Sequence, residues 1–261
     1  MRRIAGFMTQ RLFGLDFVCA ATIEDLAASL YAGRDERDAG WRCVVTPNVD
    51  HLVRYERHPG EFDVARNASL SLPDGMPIVW AGRLLRRPLR ARLAGSDLFT
   101  ALWPQLATGA VPTVVVASSA DTADRLLAEH PTLRCILPPM FDVDDEAAVT
   151  GVIDEIVAAT EAIGARFVVV GLSMPKHHLI ASHLHRRWAG RGDPPTVLLL
   201  GASAEFYLGL VRRAPAWMQR AGMEWVYRLL SEPRRLAKRY LVDDVKFLPI
   251  LWREWRGTRR G

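Results

Sequence analysis

The feature that most constrains the fold is a recurring short β-branched run, apolar on both faces: TVVVAS at 113–118, RFVVVG at 166–171 and TVLLLG at 196–201. A strand with one wet face alternates apolar and polar residues. A run without alternation needs cover on both sides, as in a parallel sheet held between two helix layers. Stretches of helical spacing separate these runs. The expected fold is therefore α/β, with a Rossmann-like, mostly parallel sheet and helices on both faces. Strands are expected at Leu12–Cys19, Trp41–Thr46, Ser69–Leu72, Thr113–Ala117, Arg134–Leu137, Phe167–Gly171 and Thr196–Leu200. Helix starts are expected at Thr22 with Asp25 as a capping box (ending on Gly33), at Ser96-Asp97, and at Ser119 or Asp121. A long helix fits Asp144–Ile163, and Pro175 suits the first position of another that closes near Gly190.

The pattern changes near residue 211. Beyond it come two amphipathic stretches, Ala216–Leu230 and Pro233–Tyr240, and no strand pattern. This predicts a body over residues 1–210 and a helical appendage over 211–261. Charge divides the same way. Thirteen of the 34 basic and five of the 29 acidic residues lie in Arg212–Gly261, which leaves that stretch at +8 and the preceding residues at −3. Trp217, Trp225, Trp252 and Trp255, half of the eight tryptophans, are also there.

Basic charge mixed with indole suits an anionic, partly apolar partner. Each Lys or Arg near an anionic leaflet contributes about 1 kcal/mol, and Trp prefers the headgroup level. A nucleic-acid surface or a solvated helix face has similar composition. The extra tryptophans and the Phe247–Leu251 run favour the membrane surface over nucleic acid.

No apolar run approaches the roughly 18 residues of a spanning helix. MRRIAGFMTQ lacks an apolar signal region, so a cytoplasmic protein, peripheral on the membrane, is expected. Cys19, Cys43 and Cys135 are odd in number and widely spaced, and read as reduced, packed thiols.

In parallel α/β sheets, ligands bind outside the carboxyl ends of the strands. Four such junctions carry polar residues: Thr46–His51, Leu72–Pro77, Gly171–His178 and Gly201–Glu205. Asp74 lies in a Pro-Asp-Gly turn between an apolar strand and an apolar helix. A carboxylate fixed in this way suits a general base, and Asp-Gly turns also occur with no catalytic role. Lys176 falls in a first helical turn after Gly171, where backbone N–H groups and an ammonium suit a diphosphate; an ordinary βα turn has the same pattern. No G-x-G-x-x-G or Walker sequence occurs, which argues against a nucleotide-binding oxidoreductase. His177, His178, His183 and His185 lack metal-ligand spacing and read as a solvated helix face with one His at the ligand end. Asp142-Val-Asp144-Asp145 resembles the D-x-D of metal-dependent nucleotide-sugar enzymes, but before a helix it reads better as capping. No metal site is expected.

TPNVDHLV, LPDGMPIVWAGR, RLAGSDLF, VVVGLSMPK and RRAPAWMQRAGMEWVYRLLSEPRRLAKRY together make the sequence similar to the WecG/TagA/CpsF bacterial glycosyltransferases over nearly its whole length. The resemblance implies inverting transfer from a UDP-sugar to a polyprenyl-diphosphate-linked saccharide at the inner membrane face, without a metal cofactor. It implies Asp74 as base, with Thr46, Asn48 and Arg83 in the pocket. Gly171, Lys176, His177 and Gly201 fall on substrate-binding segments. Arg228, Arg235 and Arg239 match arginines that meet the lipid diphosphate.

The chain departs from the family pattern at Ser173, His177 and His178 in the P-K segment, and at Tyr207 in the segment after Gly201. An N-acetylmannosamine-type sugar or a uronic acid remains open as donor. A peripheral membrane scaffold with a decayed pocket remains as the non-catalytic alternative. A homo-oligomer is compatible with the apolar helix faces near residue 210.

Overall fold

The computed structural model describes residues 2–4, 6–19, 21–32, 42–108, 111–130, 132–191 and 193–260. Nine described strands form one sheet: β1 (Arg2–Ile4), β2 (Phe7–Leu12), β3 (Leu15–Val18), β4 (Arg42–Val45), β5 (Leu70–Ser71), β6 (Thr113–Val116), β7 (Arg134–Ile136), β8 (Phe167–Val170) and β9 (Thr196–Leu199). Their order is β1-β2-β3-β5-β4-β9-β8-β6-β7. From β3 onward neighbouring strands are parallel; β1, β2 and β3 meet as antiparallel neighbours at one edge.

The apolar runs behave as expected. Every residue of β4, β6, β8 and β9 is buried. Alternate residues enter two separate cores: Val114, Val116, Val168, Val170, Val197 and Leu199 face one helix layer, and Val115, Phe167, Val169 and Leu198 the other. The first layer includes α2 (Val49–Tyr55), α3 (Pro59–Arg66), α4 (Met76–Leu84), α7 (Glu146–Ile163) and α8 (Lys176–Trp188). The second includes α1 (Ile23–Ala32), α5 (Gly95–Ala107) and α6 (Ala120–Glu129).

Three of the expected helix starts carry side-chain caps, whereas α5 begins at Gly95 after Ala94 with no side-chain cap, not at Ser96-Asp97. Thr22 and Asp25 exchange reciprocal bonds of 3.1 and 3.0 Å. Ser119 caps α6, and Asp145 of the D-x-D-like segment caps α7 by accepting from Ala148 N. Gly33 and Trp41 lie outside the described residues.

The N-terminal expectation needs correction. Leu12–Cys19 is two strands, because Phe13 and Gly14 both have positive φ (52° and 77°) and turn the chain back as a two-residue hairpin. The strands β1 and β2 were not anticipated.

After β9, residues 203–207 form α9 (Ser203–Tyr207), and the rest is helical: α10 (Ala216–Arg220), α11 (Glu224–Ser231), α12 (Pro233–Lys238), a π-helical turn at Arg239–Asp243, a 3-10 turn at Asp244–Lys246 and α13 (Phe247–Arg260). Leu236 is buried, Phe247 and Ile250 join the first core of the body, and Phe247 meets Phe13 edge-on at 5.3 Å. No described helix is long and apolar enough to cross a membrane.

Candidate active site

Strand order reverses between β4 and β9. The chain leaves β4 for β5 on one side, while β9 is reached from β8 on the other. A crevice outside the carboxyl ends of the strands is expected at such a point. Thr46 follows β4 and its hydroxyl donates to the Leu199 carbonyl of β9 at 3.4 Å. Asn48 accepts from His51 N at 3.1 Å and so caps α2. Gly171 follows β8 so closely that an added Cβ would sit 2.9 Å from the Val116 carbonyl. Gly201 begins the turn after β9, with φ 55°.

Asp74 is anchored by its own backbone, since Asp74 N donates to the Pro47 carbonyl at 3.0 Å and the neighbouring Pro73 carbonyl accepts from Leu93 N. These two bonds tie the loop after β5 to the loop after β4 and to the segment that carries Arg92. The guanidinium of Arg92, 15% exposed, is the nearest cation: its Nη1 lies 4.0 Å from Asp74 Oδ1. The same Nη1 is 2.9 Å from Glu224 of α11, and Nη2 is 3.0 Å from Asp97. Arg213 also bonds Asp97.

Although 30% of the Asp74 side chain meets solvent, protein surrounds the carboxyl at longer range. Loss of water pushes its pKa up to about 6. Arg92 opposes that rise, Glu224 and Asp97 add to it, and Arg228 opposes it. A carboxyl that titrates near neutrality, on a turn tied by backbone bonds at the ligand end of a sheet, is suited to accept a proton.

The appendage covers this end. Arg228 of α11 lies over the Phe206 ring of α9, 5.9 Å from its centre, and its charge is felt at Asp74. Arg239 reaches Asp50 at the start of α2, 3.5 Å away. The side chain of Arg235 lies outside the described residues.

Other expected residues stand elsewhere. Arg83 is exposed in the last turn of α4, while Arg92 is the arginine beside Asp74. Lys176 begins α8 as expected, with its ammonium 4.3 Å from the centre of the Phe141 ring.

The histidines correct the reading of a solvated face. His177 and His178 are only 4% and 2% exposed, turned into the layer between α8 and α2. His177 Nδ1 bonds the Leu172 carbonyl at 2.8 Å, and His178 Nε2 meets the Tyr55 hydroxyl at 2.9 Å. With His51 they form a cluster of rings 4.7–6.2 Å apart. Burial lowers all three pKa values, that of His177 to about 4, so the rings are neutral. No three described His, Cys, Asp or Glu side chains are grouped to hold a metal ion. Tyr207 bonds Glu129 at 3.1 Å, and its ring packs with Phe99 and Trp103 of α5. Of the four departures at Ser173, His177, His178 and Tyr207, only Ser173 is exposed at the mouth of the P-K loop.

Sequence reasoning missed Arg92 and Glu224. Arg92 sits in R-L-A-G-S-D with Asp97, and Glu224 in M-E-W; the Arg and acid within the first motif were the available signal for Arg92.

A curated relative from Bacillus spizizenii, named N-acetylglucosaminyldiphosphoundecaprenol N-acetyl-beta-D-mannosaminyltransferase, is 30% identical over 201 residues, covering 74% of this chain and 72% of its own length. The model of the glycosyl transferase WecG/TagA/CpsF family matches residues 10–261. With that match running through the Asp74 turn and the covering appendage alike, the chain belongs to the WecG/TagA/CpsF family of glycosyl transferases.

Proposed function

We propose that this glycosyl transferase moves a sugar, N-acetylmannosamine-type or uronic acid, from a UDP-sugar to a polyprenyl-diphosphate-linked saccharide with inversion at the anomeric carbon. The observation that carries the reading is Asp74, a raised-pKa carboxyl on a fixed turn at the switch point, roofed by the basic appendage. The acceptor hydroxyl oxygen attacks the anomeric carbon from the face opposite UDP. As the new carbon–oxygen bond forms and the bond to UDP breaks, the hydroxyl proton passes to Asp74 and the electron pair leaves with the diphosphate.

That departing charge needs cations. Arg228 from the appendage and the first turn of α8 with Lys176 are the groups assigned to it, with no metal in the scheme. The name of the Bacillus spizizenii relative specifies an acceptor that is a sugar on undecaprenol diphosphate, and an acceptor of that chemistry is assigned here. Trp217, Trp225, Leu248 and Trp252 are exposed on the appendage, beside exposed Arg234, Lys238 and Arg256. That surface suits an anionic leaflet, so the protein works peripherally on the inner face of the membrane.

The test is a transfer assay with a panel of UDP-sugars and a polyprenyl-diphosphate-linked acceptor in anionic vesicles. One donor should be consumed, with product of inverted configuration. Asp74→Asn should lose 10²–10⁴-fold of that turnover while unfolding no sooner than the wild type, since general base catalysis is worth about that much. Near-normal turnover by Asp74→Asn would remove it from the mechanism.

A further inference from the structure

The shared guanidinium of Arg92 links two parts of the molecule that are far apart in sequence. Asp74 belongs to the sheet body and Glu224 to the first turn of α11 in the appendage. Both address the same nitrogen, Arg92 Nη1, and Glu224 holds it at 2.9 Å while Asp74 stands back at 4.0 Å. Asp97 takes the second nitrogen at 3.0 Å and is itself bonded by Arg213. Both terminal nitrogens of Arg92 are thus bonded by carboxylates other than Asp74.

A base in a close ion pair is a weak base, because the cation stabilises the ionised form and lowers its affinity for a proton. We propose that Glu224 is a positioning residue: by occupying Arg92 Nη1 it keeps Asp74 from closing onto the guanidinium, so that docking of the appendage and the proton affinity of the base are one event. The proposal rests on the reading of Asp74 as the base and adds to it how that base is regulated. With α11 lifted, Nη1 turns to Asp74, which becomes an ion-paired carboxylate of ordinary or lower proton affinity. With α11 seated, Asp74 is released.

The groups that face Asp74 fit this division of labour. Arg92 and Asp97 come from the body, and Glu224 and Arg228 from α11; the two anions raise its pKa and the two cations lower it. Seating of α11 depends on Gly222, just before it. Gly222 has a φ of 72°, and a Cβ there would lie 2.7 Å from Trp80 Cζ2 and 2.9 Å from Met76 Cβ on α4. Any side chain at this position pushes the start of α11 away from α4 while leaving every charge in place.

The experiment is a carbon-13 NMR titration of the full-length chain labelled at aspartate Cγ, with the Asp74 signal identified by its absence in Asp74→Asn. In the wild type the midpoint is expected near 6. In Glu224→Gln it should fall by one unit or more, a tenfold or greater loss of proton affinity. Gly222→Ala, which keeps Glu224 but unseats it, should move the midpoint in the same direction. A smaller shift than one unit in Glu224→Gln overturns the proposal; if that variant does not fold, absence of a downward shift in Gly222→Ala overturns it instead. The titration uses neither donor nor acceptor. Failure of Asp74 as a base would therefore appear in the transfer assay and failure of the coupling only here.

Discussion

The sheet body and the appendage are held by different forces. In the body, β4, β6, β8 and β9 are wholly buried, and two apolar cores flank the sheet. In the appendage, α11 buries no residue fully, and among the described residues Phe247 and Ile250 join the body core, with Leu251 and Trp255 partly buried against it. Ion pairs add to that attachment. Arg92–Glu224, Arg213–Asp97, Arg239–Asp50, Arg87–Glu254 and Arg253–Glu56 all join body to appendage. Apolar burial scales with area and is insensitive to salt, whereas partly exposed ion pairs are weak singly and screened by salt. The lesson is that the chain keeps the carboxylate proposed as its base on the part with the larger apolar core and covers it with the part held more by charge.

The largest effect that would test this contrast is a cavity in each region. Phe167, 1% exposed in the second core, fills space between β8 and the α1–α5 layer. Phe167→Ala should lower global stability by about 3–5 kcal/mol, read from the midpoint of urea unfolding. Phe247→Ala removes a ring of similar size from the root of α13, yet the loss should stay local: faster hydrogen exchange and proteolysis over residues 247–260, with little change in the body. Equal global losses from both variants would mean that appendage and body fold as one unit.

That contrast also explains what was legible in advance. The strands of the body could be read because burial on both faces leaves no freedom to place polar residues, and Val114–Val116 or Val168–Val170 show it directly. The place of Asp74, on a turn at the carboxyl end of a strand, was legible because Pro-Asp-Gly stands directly between an apolar strand and an apolar helix. Arg92 was not. It reaches Asp74 through an irregular segment, positioned by the bonds Arg90 N to Cys19 O and Leu93 N to Pro73 O, and neither leaves a periodic trace. His177 and His178 were misjudged for a related reason. Residue type argues for solvent, but the face of α8 that carries them packs on α2, and only the partners Leu172 and Tyr55 make their burial tolerable. The N-terminal hairpins escaped because Leu12–Cys19 is a continuous β-type run whose break depends on two positive φ angles.

Those buried histidines give a second, smaller handle, and one confined to the body. Their pKa values are depressed, so the folded protein holds them neutral while the unfolded chain binds protons below the ordinary value of 6.5. The stability they carry is fully present above about pH 6.5 and is lost as pH falls through the folded values, down to about 4 for His177. His177 alone accounts for on the order of 3 kcal/mol across that window. Urea midpoints measured from pH 7.5 to 4.5 should fall accordingly. His177→Gln, which keeps a donor for the Leu172 carbonyl but does not titrate, should flatten the slope. An unchanged slope would put the acid sensitivity outside this cluster.

Salt has the smallest effect and separates the two regions most directly. Raising NaCl from 0.15 to 1 M shortens the Debye length from about 8 Å to about 3 Å. Each partly exposed pair loses part of the roughly 0.2–1 kcal/mol it contributes. With five such pairs across the seam, amides of α11 and α13 should exchange several-fold faster in 1 M NaCl. Amides of β8 and β9 should not change, because nothing ionic holds them. A uniform response over both regions would show that the appendage is bound by its apolar plugs alone. The chloride response of Glu224→Gln sharpens the point further: with one pair of the five already gone, its α11 should exchange faster at low salt and gain less from added salt than the wild type.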